Sequence, residues 1–136
     1  MHPILRVLLV LTALANLAWG LFALGLPDRA AELLGFTLNS PEARGEVRAT
    51  YGGLILGLGL VQLLALRGPR GQAWLAALAL VFAALGLGRL SSLALDGLST
   101  YTAGLGAVEI GLALLLAMGS RSMDPETNRS RGDSEA

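Results

Sequence analysis

The chain contains no cysteine among its 136 residues, so its sequence excludes disulfide bonds, thiolate metal sites and thiol nucleophiles. Its one histidine is His2, which has no other metal-ligating residue beside it. Lysine is absent as well, and all ten basic residues are arginine. With no metal cluster and no phosphate-binding loop, the sequence predicts neither a metal nor a cofactor.

Charged residues are scarce, at 15% of the chain against roughly a quarter in a soluble domain. Hydrophobic residues make up 54%, and the mean hydropathy of +0.63 is typical of a membrane protein. Ten basic and ten acidic residues balance to a formal net charge of zero, so no nucleic-acid partner is predicted. The lipid bilayer is the expected surrounding.

Four apolar segments are long enough to cross the roughly 30 Å hydrocarbon core of a bilayer as helices. They cover residues 4–26, 41–66, 72–95 and 98–118, and no strand alternation competes with them. The predicted fold is all-α, a four-helix transmembrane bundle over residues 1–118. Residues 119–136 are polar and charged, and we expect them to form a disordered tail.

The first apolar segment has a second interpretation as a cleaved signal peptide, with residues 13–15 (Ala-Leu-Ala) as the cleavage site. The apolar run continues through Trp19 and Phe22, well past the core of a typical signal peptide. Its length therefore favours a retained helix, in which Asn16 is the one strongly polar residue.

Residues that typically start or end helices divide the chain after the first span. Pro27 suits a first helical turn and Gly35 suits a stop, which predicts a short helix lying in the membrane interface. Ser40 and Pro41 suit the N-cap and the first residue of the second span. Gly68, followed by a proline, marks the end of that span.

Arginines near short loops indicate the orientation of the chain, because such residues favour the cytoplasm. With both termini inside, the cytoplasmic arginines are Arg6, Arg67, Arg70, Arg121, Arg129 and Arg131. The outer arginines are then Arg29, Arg44, Arg48 and Arg89. This bias predicts that both termini are cytoplasmic.

In this topology a set of polar residues converges on the outer half of the bundle. The set comprises Glu46, Arg48, Arg89, Ser92, Asp96 and Glu109. Glu109 lies deepest, roughly 16 Å into the fourth span. An unpaired charge at the membrane centre would cost about 2.5–3.5 kcal/mol. The sequence therefore predicts a buried network that pairs the two arginines with the carboxylates.

Each of these residues also has a plainer interpretation. Glu46 and Arg48 can face water at the interface, and Arg89 can reach the outer headgroups. Asp96 and the glycine after it can form the turn between the third and fourth helices. Glu109 has no short route to water, so two roles stay open for it: structural partner of Arg89, or carrier of a proton or substrate.

Glycine makes up 18 of the 136 residues, about twice its usual share of 7%. In apolar spans this excess favours close helix packing. The predicted packing positions are Gly52, Gly53, Gly57 and Gly59. Glycine-rich helix faces of this kind could pack against a second copy of the chain or against another membrane protein, and both partners stay open.

Two motifs carry a resemblance to a known family: residues 46–53 (Glu-Val-Arg-Ala-Thr-Tyr-Gly-Gly) and 86–92 (Gly-Leu-Gly-Arg-Leu-Ser-Ser). Together with Asp96 and Glu109, they make the chain resemble a bacterial family of small four-helix membrane proteins classed as a domain of unknown function. A more distant likeness is to DoxX-type four-helix proteins. The resemblance covers residues 4–118. It implies the fold and a bacterial inner-membrane location, and it implies no established activity.

Three functions follow as alternatives. The first is a non-enzymatic structural or accessory membrane component. The second is a small proton-coupled transporter or ligand-binding membrane protein, in which Glu109 takes up and releases a proton beside Arg89. The third, an intramembrane enzyme, is the least favoured, because the sequence offers no nucleophile pair and no metal cluster.

Overall fold

The computed structural model describes residues 1–123, and every regular element among them is helical. The elements in chain order are α1 (Pro3–Gly25), α2 (Pro27–Leu33), α3 (Pro41–Val47), a π-helical segment (Arg48–Leu54), α4 (Ile55–Ala65), α5 (Gly71–Leu95) and α6 (Thr100–Ser122). The run from α3 to α4 is one continuous span, Pro41–Ala65. This span, α1, α5 and α6 are each long and apolar enough to cross a membrane. The predicted all-α fold with four apolar spans is confirmed.

The short helix after the first span is α2, and its ends follow the sequence signals. Pro27 is its first residue, a position where a helical N–H has no partner within the helix, so proline is tolerated there. Gly35 takes a φ of +85°, a left-handed conformation that favours glycine and stops the helix. Pro27, Ala30 and Ala31 are buried, so α2 packs through its small residues.

The second span begins at the predicted cap. The Ser40 hydroxyl accepts a hydrogen bond from the backbone N–H of Ala43 at 3.2 Å, and Pro41 is the first helical residue. This bond satisfies one of the four N–H groups that a helix start leaves unpaired. The span ends at Ala65, one residue before the predicted end.

The π-helical segment Arg48–Leu54 lies inside the second span and was not predicted from the sequence. Its hydrogen bonds reach five residues back instead of four, and such segments occur frequently at functional sites. Gly52 and Gly53 are weak helix formers, which reduces the cost of leaving α geometry here. The segment coincides with the first motif of the family resemblance.

The third and fourth spans differ slightly from prediction at their starts. Helix α5 begins at Gly71, one residue earlier than predicted. Helix α6 begins at Thr100, two residues later, because the Ser99 hydroxyl accepts the N–H of Thr102 at 3.3 Å and so acts as the N-cap. Gly97, with a φ of +102°, makes the turn between these helices.

Helix α6 continues to Ser122, four residues past its predicted end at residue 118. Tertiary contacts explain the extension. The Ser120 hydroxyl donates to the carbonyl of Gln72 on α5 at 2.9 Å, and Gly119 packs against Leu75. Residues 119–122 are therefore helical and Met123 is the C-cap, while residues 124–136 of the predicted tail lie outside the described residues.

The chain divides into two compact units, each described by itself. In the unit of residues 10–63, called the N-terminal unit below, α1 runs antiparallel to the second span. Contacts between Leu24 and Gly52, between Gly20 and Leu56, and between residues 12 and 62 follow one another along the two helices. A small core of Ala23, Ala30 and Val47, with partly buried Trp19, Phe22, Leu38 and Tyr51 against it, closes one end.

The other unit consists of residues 1–9 together with the chain from residue 64 onward, and is called the C-terminal unit below. Here α5 and α6 form an antiparallel hairpin. Gly86 meets Ile110, and Gln72 meets Ser120 at the opposite end. Gly86 leaves room for the Ile110 side chain, which would have to shift if a Cβ were added, because that Cβ would lie 2.6 Å from Ile110 Cδ1.

Candidate functional site

The six predicted polar residues fall into different units. Glu46 and Arg48 belong to the N-terminal unit, whereas Arg89 and Glu109 belong to the C-terminal unit with Ser92 and Asp96. The structure joins two of the six by an ion pair, Arg89 and Glu109. Each unit's polar residues are therefore considered separately.

In the N-terminal unit, Arg48 binds backbone and not a carboxylate. Its Nε donates to the carbonyl oxygen of Leu24 at 3.2 Å. Helix α1 ends at Gly25, and the last four carbonyls of a helix lack partners within it. An arginine at this position satisfies such a carbonyl and opposes the negative end of the helix dipole. Arg48 thus caps α1 from a neighbouring helix, while Glu46 is exposed.

The other residues of the first motif pack around this cap. Val47 is buried in the small core with Ala23 and Ala30. The ring of Tyr51 lies 6.1 Å from that of Phe36, centroid to centroid, at an interplanar angle of 47°. This tilted arrangement is a favourable one for aromatic pairs. Residues 47–52 therefore hold the end of α1, the segment around α2 and the second span together.

Glycines of the second span allow α1 to approach closely. A Cβ on Gly52 would lie 2.7 Å from Leu24 Cγ, and one on Gly59 would lie 3.0 Å from the carbonyl oxygen of Ala13. Gly57 has no atom within 4 Å of such a Cβ, and Gly53 meets only Arg48 O of its own helix at 3.7 Å. A packing role for Gly53 and Gly57 stays a prediction.

A polar contact between α1 and α4 was missed by sequence reasoning. Gln62 is fully buried, and its Nε2 donates to the Thr12 hydroxyl at 2.8 Å. One turn along α1, the Nδ2 of Asn16 is buried and has no hydrogen-bond partner among residues 1–123. The signal was available, since Gln62 is a lone amide in an apolar span and residues 12 and 16 share one helix face.

The ion pair of the C-terminal unit joins α5 to α6. Arg89 Nε donates to Glu109 Oε1 at 3.4 Å, a long single contact and not a bidentate pair. Gly106 makes room for the arginine stem, because a Cβ there would lie 3.1 Å from Arg89 Cβ. The side chains of Arg89 and Glu109 are 32% and 15% exposed, so the carboxylate is the deeper partner. Glu109 Oε2 is buried and has no hydrogen-bond partner within the described part of the chain.

Ser92 and Asp96 do not join this pair. Asp96 is exposed and follows the last residue of α5, where its N–H closes the helix on the carbonyl of Ser92 at 2.8 Å. Gly97 then turns the chain. The arrangement matches the turn interpretation of Asp96, and Ser92 contributes its backbone carbonyl to that helix end.

The chemistry available to these groups is limited. Within residues 1–123, no group of three histidine, cysteine or acidic side chains could hold a metal ion. Two cavities lie in the C-terminal unit, and neither is lined by Arg89 or Glu109. In the contacts described here, Arg48 binds the backbone and Arg89 binds Glu109, whose Oε2 has no hydrogen-bond partner among residues 1–123.

Comparison with known proteins identifies the family and nothing finer. Searches of curated proteins and of solved structures find no match. The comparisons do not test the weaker likeness to DoxX-type proteins. A family model covers nearly the whole helical region, residues 4–120. The chain therefore belongs to the family described as Domain of unknown function (DUF4345).

Proposed function

We propose that this multi-pass membrane protein is a structural or accessory component of the bacterial inner membrane, without catalytic activity. The observation that carries the proposal is the use made of its intramembrane polar groups. Arg48 donates a hydrogen bond to the end of α1, and Arg89 forms an ion pair with Glu109 between α5 and α6. Both arginines thus hold helices of their own chain together, and neither lines a described cavity.

The orientation proposed with it places both termini in the cytoplasm. Arg6, Arg67, Arg70 and Arg121 lie in the C-terminal unit at helix ends or in the 66–70 turn. Loops rich in arginine are retained on the cytoplasmic side. Cysteines introduced at Arg67 and Asp96 in this cysteine-free chain would report it. Membrane-impermeant maleimide is expected to label position 96 from outside and position 67 only after permeabilisation.

A second function, a proton-coupled carrier or ligand-binding protein, is supported by one observation. Glu109 Oε2 is buried without a partner, which is an unusual state for a carboxylate in a membrane span. Such an oxygen is a natural place for a proton. Alternate protonation of Glu109, with Arg89 as its counter-charge, would then couple proton movement to a substrate.

Reconstituted vesicles loaded with a pH-sensitive dye separate the two functions. Under an imposed pH gradient, the structural proposal expects the same proton leak with protein as without it. It also expects Glu109→Gln to lower the unfolding midpoint of the purified protein. The matched control is Asp96→Asn, which alters an exposed carboxylate at a turn.

Two outcomes decide between the functions. Proton flux that exceeds that of empty vesicles, is lost in Glu109→Gln and persists in Asp96→Asn would contradict the structural proposal and establish the carrier. Equal leak in all samples, with a lowered midpoint in Glu109→Gln alone, supports the structural function. Stable co-purification of another membrane protein with the tagged chain would then identify it as an accessory subunit.

A further inference from the structure

A groove on the α5–α6 hairpin is lined by neither residue of the Arg89–Glu109 pair. It is a cavity of about 540 Å³ within the C-terminal unit, open to the outside. Five of its ten lining residues, called its floor below, are alanines at helical spacing, three from α5 and two from α6: Ala76, Ala79, Ala83, Ala113 and Ala117. The ends differ, because Ile110 lies at one and Arg121 at the other. The groove is therefore apolar along its length and cationic at one mouth.

The dimensions of the groove fit one hydrocarbon chain. Residues 110 to 121 of α6 span eleven residue steps, roughly 16 Å. This is about half of a hydrocarbon core that is about 30 Å thick, the depth of one leaflet. A cavity of about 540 Å³ along that length has room for one acyl chain.

The charge at the mouth of the groove favours an anionic headgroup. Arg121 is exposed and has no ion pair among the described residues. The same end of the unit carries Arg6, which lines a second cavity with Gln72 and Ser122. Residues 1–9, 64–72 and 119–123 contain four arginines and no acidic residue. Basic pockets between helices on the cytoplasmic side bind anionic lipid headgroups.

We propose that this groove is a binding site for one anionic phospholipid of the surrounding bilayer. One acyl chain lies over the alanines from Ala117 to Ala83, and the phosphate is bound by the guanidinium of Arg121. The apolar floor recognises the chain, and the arginine selects the charge of the headgroup. The site lies in the leaflet that the proposed orientation makes cytoplasmic, where anionic lipids give the surface its negative potential.

Native mass spectrometry of the purified protein tests the site with defined lipids. The protein is exposed to equal amounts of phosphatidylglycerol and phosphatidylcholine with the same acyl chains. The measured quantity is the ratio of the two protein–lipid complexes that carry one bound lipid molecule. We expect phosphatidylglycerol to be retained in excess. Arg121→Gln should reduce that excess about fivefold, the factor corresponding to about 1 kcal/mol per arginine near an anionic surface.

Two further variants address the chain and supply controls. Ala79→Leu fills the floor of the groove and should reduce retention of both lipids, whereas Ala77→Leu, at an exposed alanine outside the groove, should not. Arg70→Gln removes an exposed arginine near the same end that does not line the groove, and should leave the lipid ratio unchanged. Unchanged unfolding midpoints show that the variants fold.

Three results would overturn the proposal. The first is equal retention of the two lipids by the wild type, which would mean that the groove holds bulk lipid only. The second is an equal loss of preference in Arg121→Gln and Arg70→Gln, which would assign the effect to the general charge of this end. The third is a dimer whose disulfide cross-link forms through a cysteine placed at Ala79, because a second copy would then cover the groove.

Discussion

Replacing Gly20 by alanine is the sharpest test of the helix contact in the N-terminal unit. The added Cβ would lie 2.7 Å from the backbone nitrogen of Leu56, 2.8 Å from its Cβ and 2.9 Å from the carbonyl oxygen of Gly52. Two of these three atoms belong to the backbone of the second span. No side-chain rotation removes the overlap, so α1 and the second span must move apart.

The size of the effect follows from two opposing contributions. Overpacking of a well-packed contact costs about 1–3 kcal/mol, and backbone overlap places Gly20→Ala in the upper part of that range. Alanine in a helix interior is favoured over glycine by roughly 0.5–1 kcal/mol. The net expectation is a loss of about 1–2 kcal/mol in the free energy of unfolding.

Gly57→Ala is the matched control, because nothing lies within 4 Å of a Cβ there. It retains the helix-propensity gain and lacks the overlap, so it should stabilise the protein by roughly 0.5–1 kcal/mol. Equilibrium unfolding in mixed micelles, with denaturing detergent as the variable and far-ultraviolet circular dichroism as the signal, measures both variants. If Gly20→Ala proved as stable as Gly57→Ala, the close approach of the two helices would be refuted.

Three further predictions concern polar contacts. A double-mutant cycle on Arg89→Gln and Glu109→Gln should give a coupling free energy of about 0.5–3 kcal/mol in the same unfolding assay, and additive effects would mean that the pair is not formed. Arg48→Gln should speed amide hydrogen exchange in the last turn of α1, where Leu24 loses its carbonyl partner, with no change at the start of that helix; uniform exchange in both turns would contradict the cap. Gln62→Leu should lower the unfolding free energy by about 0.5–1.5 kcal/mol because it removes the hydrogen bond from Gln62 to the Thr12 hydroxyl, and an unchanged value would contradict the contact.

Helix boundaries could be predicted here because their determinants are local. Ser40 followed by Pro41 specifies a helix start through cap geometry, and Gly35 specifies a stop through its left-handed φ. At the end of α6, by contrast, a tertiary contact decided the boundary. Helix α6 extends beyond its predicted end because the Ser120 hydroxyl donates a hydrogen bond to the Gln72 carbonyl on α5. No local sequence pattern identifies that acceptor.

Polar contacts differ in how far the sequence specifies them. Arg89 and Glu109 could be paired from the sequence, since two opposite charges in apolar helices have few other partners. The partner of Arg48 could not, because every residue carries a carbonyl and only the fold shows which one is left unpaired. A carboxylate was expected for Arg48, and the end of α1 supplies its acceptor instead.

The glycine pattern shows a further limit of sequence reasoning. Gly53 and Gly57 have the small-residue spacing that predicts a helix contact, yet the face that meets α1 carries Gly52 and Gly59. Both pairs are available on the same helix, and spacing alone cannot say which face is covered. Which face is covered depends on α1, because its Gly20 has no side chain and lets the backbone of the second span come close.

The first motif, residues 46–53, therefore serves to stabilise the fold. Val47 is buried in the small core, and Arg48 caps α1. Tyr51 packs on Phe36, and Gly52 leaves room for the Leu24 side chain. Side chains occupied in this way are not available to a ligand or a partner chain. A chemical activity of this protein would therefore have to use groups that the fold leaves unoccupied. Two such groups are the free oxygen of Glu109 and the alanine-floored groove that ends at Arg121, and the vesicle and lipid experiments test them directly.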